Sequence, residues 1–271
     1  MHRKTNNESA ICEKTIRKHI VNKKLKNIKI VSYDMTDSTN TRAREYAKAD
    51  STQFPAVFIA NGQHAGRGRR GRIFDSASGC GLYISFLFRP MDKVSDSAAL
   101  TARAAVKICR AIESVCTLSV GIKWVNDVFV NGRKLAGILT EGEFDAESGK
   151  FSYMICGIGI NLNKRKFPKE ISDIATTVED ETGNQPDRNL LAARIIEEFF
   201  AEDAEPFIDE YRRRSSVIGK RVEVRRISGE IFTAFVIGIT DGCRLLIKTD
   251  DGLFEELISA EVSIKQTINN C

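Results

Sequence analysis

Hydrophobic and polar positions along the chain follow two rhythms. Alternation with a period near two marks strands at 28–33, 56–60 and 82–88. Four more follow in close succession at 121–124, 127–130, 135–143 and 151–161. Apolar residues at helical spacing mark helices over 40–49, 97–116 and 188–214. The first is preceded by Asp37, Ser38, Thr39 and Asn40, good N-cap types. Pro206 is expected to split the last. Asn131-Gly132 signals a tight turn, and direct hairpin links imply a mainly antiparallel sheet.

The C-terminal stretch changes character. Glycines at 219, 229, 238, 242 and 252 punctuate short strands at 221–226, 232–239 and 245–248. This predicts a small β-barrel or curled sheet. The chain therefore divides into a basic N-terminal leader (1–27), a main domain (28–216) and a small β domain (217–271). A helix around 9–24 would place Ile11, Ile16 and Ile20 at roughly helical spacing. The leader is otherwise expected to be solvated or loosely docked.

Composition narrows the class. The chain has 271 residues, 42% hydrophobic and 28% charged, as an ordinary globular protein does. No run approaches the roughly 20 apolar residues of a membrane span, so no membrane partner is expected. Seven cysteines without a CxxC pair, and only three histidines, argue against structural zinc and a disulfide framework. Reduced thiols and a cytoplasmic location are the simplest expectation. The net charge of +5 is concentrated in the first 29 residues, with nine Lys or Arg against Glu8 and Glu13. The remainder is near neutral, so any basic site there must be local. The leader is too short for a helix-turn-helix.

Four segments carry candidate chemistry. Gly62–Arg72, GQHAGRGRRGR, holds four glycines and four arginines in eleven residues. Glycine disfavours helix, lets the backbone approach a ligand and can build an anion-binding nest. Arginine forks onto carboxylates and phosphates. With no acidic neighbour in sequence, the four guanidiniums repel until anions arrive, so the loop is expected to order around its ligand. It is not a Walker A loop. In KWVNDVFVNGRKLAGIL (123–139), Lys134 sits on a strand beside small residues, with Gly137 leaving room. In CGIGINLN (156–163), strand glycines mark close approach of a ligand or another backbone. Asp37–Asn40 offers hydroxyls and free helix amides to a polar group.

Together, in this order, these segments resemble the biotin protein ligases: DSTN at 37–40, GRGRRGR at 66–72, KWxND with RKLAGIL at 123–139, and GIGIN at 157–161. The resemblance implies an α+β fold, with a mixed, mainly antiparallel sheet, helices on one side and a small C-terminal SH3-like β-barrel. It implies an ATP-dependent enzyme that makes biotinyl-5′-AMP and transfers biotin to a lysine of a biotin carboxyl carrier protein. That partner would belong to acetyl-CoA carboxylase or a similar carboxylase. Biotin, ATP and Mg2+ are the implied small molecules, with the metal's ligands unassigned. A homodimer is compatible with the resemblance, and no DNA partner is expected, because the regulatory members carry a further N-terminal domain.

Carried over residue by residue, the resemblance makes Lys134, Arg69 and Asp127 the catalytic candidates. Lys134 matches the lysine that holds the biotin carboxylate and α-phosphate, and Asp127 an acid that orients or deprotonates the acceptor lysine. Ser38, Thr39, Asn40, Gln63, Gly66, Arg67, Gly68, Arg69, Lys134, Gly137 and Gly157 are implied for biotin. Arg70, Arg72, Phe74, Lys123, Asn126 and Asn161 are implied for ATP. Val125 stands where the family commonly has proline, Phe74 where it often has tryptophan, and Ala260 where it usually has glycine. The alternatives are a lipoate or octanoate ligase or transferase of the same fold, and a biotin-sensing regulator that binds nucleic acid through the leader. The arginine loop counts against the first and the near-neutral body against the second.

Overall fold

The computed structural model describes residues 10–49, 53–90, 97–203 and 206–264. A seven-stranded sheet in the order β1-β2-β3-β7-β6-β5-β4 forms the main domain. Its strands are β1 (Lys29–Thr36), β2 (Ala56–Gln63), β3 (Gly81–Phe88), β4 (Gly121–Lys123), β5 (Asp127–Val130), β6 (Arg133–Asp145) and β7 (Lys150–Asn161). Of these strands only β1 and β2 pair in parallel. A parallel pair needs a crossover, and helix α2 (Thr39–Ala47) supplies it. The turn between β5 and β6 is tight, with Asn131 and Gly132 at φ 49° and 78°.

Strand alternation sorts the side chains onto two faces. Val57 and Ile59 on β2, Leu82, Ile84 and Phe86 on β3, and Cys156, Ile158 and Ile160 on β7 form the main core with α3 (Ser97–Val115) and α5 (Arg188–Phe200). Ala56 and Phe58 face the other way and pack with Ala43 of α2. So α2 alone of the long helices lies on the second face. A short helix α4 (Val178–Thr182), not expected from the pattern, caps through Thr177 and ends at Gly183. The predicted last helix is two, α5 and α6 (Phe207–Arg213), with Pro206 at the start of the second.

The N-terminal segment is docked, and more firmly than its charge suggests. Helix α1 (Glu13–His19) packs against α5. Ile11, Ile16 and Ile20 are buried, with Ile16 fully so. Backbone groups are tied as well: Ile11 N–H donates to Asn61 Oδ1 at 3.0 Å and Cys12 N–H to Asn189 Oδ1 at 2.9 Å. Glu197 accepts from the amides of Val21 and Asn22. The lysines stay on the outer face, so the charge count hides an apolar anchor.

The C-terminal part is a five-stranded antiparallel sheet in the order β11-β10-β9-β8-β12. Its strands are β8 (Arg221–Arg225), β9 (Ile231–Ile239), β10 (Leu245–Thr249), β11 (Phe254–Leu257) and β12 (Glu261–Ile264). In place of a closed barrel, β11 and β12 form its two edges, with no pairing between them among the described residues. Only residues 258–260 link them, a span of at most about 14 Å, so the sheet must curl strongly. Its β10 side reaches the main domain: Trp124 Nε1 donates to the Cys243 carbonyl at 2.8 Å. Tyr211 on α6 donates to the Val125 carbonyl at 3.0 Å. The Trp124–Val125 peptide, at the proline position of the related motif, is cis.

Truncating Ile16 to alanine should lower unfolding free energy by about 2–5 kcal/mol in urea titration. Val21→Ala, at a side chain 69% exposed, should change it by less than about 0.5 kcal/mol. Equal small effects at both positions would mean that the segment is not docked in solution.

Candidate active site

The pocket opens on the α2 face of the sheet, and its floor is glycine. Gly137 on β6 pairs with Gly159 on β7, and Leu139 with Gly157. A Cβ on Gly157 would lie 2.0 Å from Asn40 Oδ1, and one on Gly159 would lie 2.5 Å from the Phe74 ring. On Gly137 it would crowd both Lys134 and Phe74. Any larger residue at Gly157 or Gly159 would displace the side chains that form the walls. Ser38, Thr39, Asn40, Gln63, Arg67, Gly68, Arg69, Phe74, Asn126, Lys134, Gly137 and Gly157 all line this one pocket.

One end presents uncharged side chains that are densely hydrogen-bonded. Ser38, Thr39 and Asn40 are buried at the start of α2. The Thr39 amide donates to Gln63 Oε1 at 2.7 Å, and Gln63 Nε2 donates to Ser76 Oγ at 2.9 Å. Ser85 Oγ lies 2.7 Å from Thr39 Oγ1 and 2.6 Å from Asn40 Oδ1. Ser38 makes no capping hydrogen bond with its hydroxyl. Asp37 instead accepts from the Ser38 amide and pairs with Arg42.

The other end is cationic. Lys134 Nζ lies 2.7 Å from Asp127 Oδ1. Asn126 donates to the same carboxylate at 3.0 Å and to the Ile138 carbonyl at 3.1 Å, and accepts from Arg69 at 2.9 Å. The Lys134 backbone donates to the Ile174 carbonyl and accepts from the Thr176 amide, which fixes the stem of the side chain. Burial, with the adjacent Arg70, lowers the Arg69 pKa from the usual guanidinium value. Burial also lowers that of Lys123, with Lys134 nearby.

Arginines that lack an acidic neighbour in sequence find one in space. Glu141 pairs with Arg67 at 2.8 Å and Arg44 at 2.9 Å. Glu261, on β12, pairs with Arg72 at 2.7 Å and Arg70 at 3.5 Å. Ser259 Oγ accepts from Arg69 and Arg70 at 3.3 and 3.2 Å. The loop is therefore held by carboxylates from β6 and β12, partners that lie far from it in sequence. A short 3-10 turn, Arg69–Gly71, shapes it, with Arg70 in the left-handed region at φ 57°.

Six candidates lie outside the pocket wall. Asp127 stands behind Lys134 and reaches the pocket through it. Arg70 and Arg72 turn to the C-terminal sheet. Gly66 accepts the Phe74 amide at 3.0 Å, and a Cβ there would meet the Phe74 carbonyl at 2.3 Å. Lys123 pairs in register with Asp127, its ammonium 5.2 Å from the centre of the Phe129 ring. Asn161 is buried at the end of β7, opposite Gly81. Sequence reasoning missed Ser85 and Glu141; it marked Gly159 among the strand glycines, and the segment around Ala260 that holds Ser259 and Glu261, without assigning any of the three to the site. Period-two counting from Gly137 along β6 reaches Leu139 and Glu141; nothing local points to the other acid, Glu261.

Comparison with known proteins places this geometry. The profile of the biotin/lipoate A/B protein ligase family matches residues 32–161, and that of the biotin protein ligase C-terminal domain matches 217–265. The bifunctional ligase/repressor BirA of Bacillus subtilis is 31% identical over 244 residues, covering 87% of this chain and 74% of that protein. The biotin–[acetyl-CoA-carboxylase] ligase of Mycobacterium tuberculosis is 31% identical over 222 residues, 78% of this chain and 80% of the relative. A structure of the Aquifex aeolicus biotin protein ligase, in complex with biotin and ATP, superposes with a TM-score of 0.72 at 29% identity, covering 88% of this chain and 99% of that one. The glycine-floored pocket, the arginine loop and the curled C-terminal sheet thus lie within regions that these relatives match, and the chain belongs to the biotin protein ligase family.

Proposed function

We propose that this ligase joins biotin to ATP as biotinyl-5′-AMP, releasing pyrophosphate, and passes the biotinyl group to a lysine of a biotin carboxyl carrier domain. The observation that carries this reading is the pocket's polarity: a neutral hydrogen-bonding end at Thr39, Asn40 and Gln63, a flat glycine floor, and a cationic end at Lys134 and Arg69. A bicyclic ureido ring with a carboxylate on a flexible chain fits that sequence of surfaces. The names of the relatives and the biotin and ATP bound to the Aquifex enzyme support it.

In the first step the biotin carboxylate attacks the α-phosphorus, and the bond to pyrophosphate breaks. Two anions must approach, and positive charge fixed in advance lowers that barrier. Lys134, held by Asp127, and Arg69, held by Asn126, are the cations at that end of the pocket. Arg67 lines it too. Phe74 presents a ring over Gly137 and Gly159, a surface for the adenine. Arg70, Arg72, Lys123 and Asn161 are left for the nucleotide's outer reaches. In the second step the acceptor amine attacks the acyl carbon, and AMP leaves. A lysine ammonium, with a pKa of about 10.4, must first lose a proton, and Asp127 is the carboxylate at hand. Among the described residues no group of three His, Cys, Asp or Glu side chains is placed to hold a metal. Magnesium in this reading arrives on the triphosphate.

The direct test is pyrophosphate release from ATP with biotin, lipoate, octanoate or no acid, in the absence of acceptor. Biotin alone should give a burst of about one equivalent per active site, because the adenylate is retained. A burst with lipoate or octanoate instead would overturn the biotin assignment. Lys134→Ala should slow adenylation by about 10²- to 10³-fold with little change in thermal midpoint; near-normal turnover would take Lys134 out of the reaction. Phe74→Ala should raise the KM for ATP about 3- to 10-fold and weaken biotin binding by less than that. An effect confined to biotin would place the ring elsewhere in the reaction.

A further inference from the structure

Glu141 joins three parts of the pocket. It lies on β6, facing the α2 side, and its side chain is 20% exposed. One oxygen, Oε1, receives both Arg44 from α2, at 2.9 Å, and Arg67 from the arginine loop, at 2.8 Å. The other, Oε2, receives the Asn40 side-chain amide nitrogen at 2.8 Å. Asn40 and Arg44 are one helical turn apart, so they meet the carboxylate from one face of α2.

A carboxylate accepts and cannot donate. It therefore decides which way round the Asn40 amide sits. With Nδ2 donating to Glu141, Oδ1 must point the other way, and it does: Oδ1 lies over Gly157, where a Cβ would come within 2.0 Å of it. The Ser85 hydroxyl proton then goes to Asn40 Oδ1, at 2.6 Å, so the 2.7 Å contact between Ser85 Oγ and Thr39 Oγ1 must carry the Thr39 proton, which Thr39 gives to Ser85 in preference to Gln63 Oε1 at 3.1 Å. The hydroxyls and the amide form one directed chain with the carboxylate at its end. The pocket thus meets an acceptor at Asn40, not a donor.

We infer that Glu141 is a positioning residue that sets the ligand specificity of the uncharged end of the pocket. By fixing Asn40 with its oxygen toward the floor, it selects a ligand that presents an N–H there, as a cyclic urea does. The inference rests on the biotin reading and deepens it.

Glutamine at this position would reverse the selection for a specific reason. Two guanidiniums demand an acceptor from the atom replacing Oε1, so the glutamine amide nitrogen must take the place of Oε2. That nitrogen needs an acceptor, and Asn40 can offer one only by turning its amide over. The Asn40 nitrogen would then face Gly157 and the ligand, donor against donor. Aspartate at position 40 repairs this, because both its oxygens accept.

The test is calorimetric titration with biotin, without ATP, on the full chain. Glu141→Gln should bind biotin about 10- to 100-fold more weakly than the wild type. The double variant Asn40→Asp with Glu141→Gln should return to within about threefold of the wild type. A variant that only damaged packing, or that only released Arg67, would not be rescued by the second change. The wild type should also bind at least one of the two mono-N-methylated biotins at least about tenfold more weakly than biotin, and Glu141→Gln should lose most of that discrimination. Wild-type affinity in Glu141→Gln, no recovery in the double variant, or indifference of the wild type to both N-methyl groups would each overturn the inference while leaving biotin as the ligand. Failure of the wild type to bind biotin would overturn the reading of the pocket as well.

Discussion

The alternation of side chains on β6 and β7 is the constraint from which the site follows. One face of these strands carries Ala136, Ile138, Cys156, Ile158 and Ile160 into the main core. Their opposite face carries Gly137, Gly157 and Gly159. A sheet buried by large residues on one side and left bare on the other has a flat floor that the core keeps rigid. Asn40, Phe74 and Lys134 occupy the space that missing Cβ atoms leave. A one-residue slip of either strand would exchange isoleucines for glycines and erase floor and core together.

Charge is arranged around that floor in a way that pins the loop. Arg69, Arg70, Arg72, Lys123 and Lys134 gather on one side with Asp127 and Glu261, while Arg67 pairs with Glu141 beside Asn40. The carboxylates come from β6, β5 and β12, so the loop is pinned to both sheets. They do not neutralise the cations, and the surplus is what an approaching carboxylate or phosphate would meet. Partial neutralisation keeps the guanidiniums from repelling one another while leaving the net field positive.

Much of this is legible in the sequence where the signal is local. Strand β5, the Asn131-Gly132 turn, the helix after Asp37–Asn40 and the break at Pro206 all follow from the pattern, because capping, turn chemistry and periodicity act over a few residues. The motif residues that meet in the pocket can be named from the chain, but not their partners. Arg72 and Glu261 are 189 positions apart, and Asn40 and Glu141 are 101 apart. No pattern of spacing reports such pairs; only the folded sheet brings them together. Strands β11 and β12 escape notice because four residues each, without clear alternation, carry little signal. The docking of Ile11, Ile16 and Ile20 is obscured by nine basic residues around them.

The same distances explain why the C-terminal sheet cannot be treated as an appendage. Its edge strands are joined by residues 258–260, and Ser259 in that link accepts from Arg69 and Arg70. Cys243, on the β9–β10 turn, accepts from Trp124, three residues before Asp127. The sheet therefore touches the pocket's cationic end from two sides: through the loop arginines, and through the turn that carries Asn126 and Asp127. Arg69 is shared between them, bonded to Asn126 on one side and Ser259 on the other. A displacement of the sheet would pull on Arg69 and on the turn at once, and in the proposed reaction both hold groups that act on the biotin carboxylate. The curl that brings β11 and β12 close enough for a three-residue link is thus what ties the C-terminal sheet to the pocket's cationic end, as well as a packing solution.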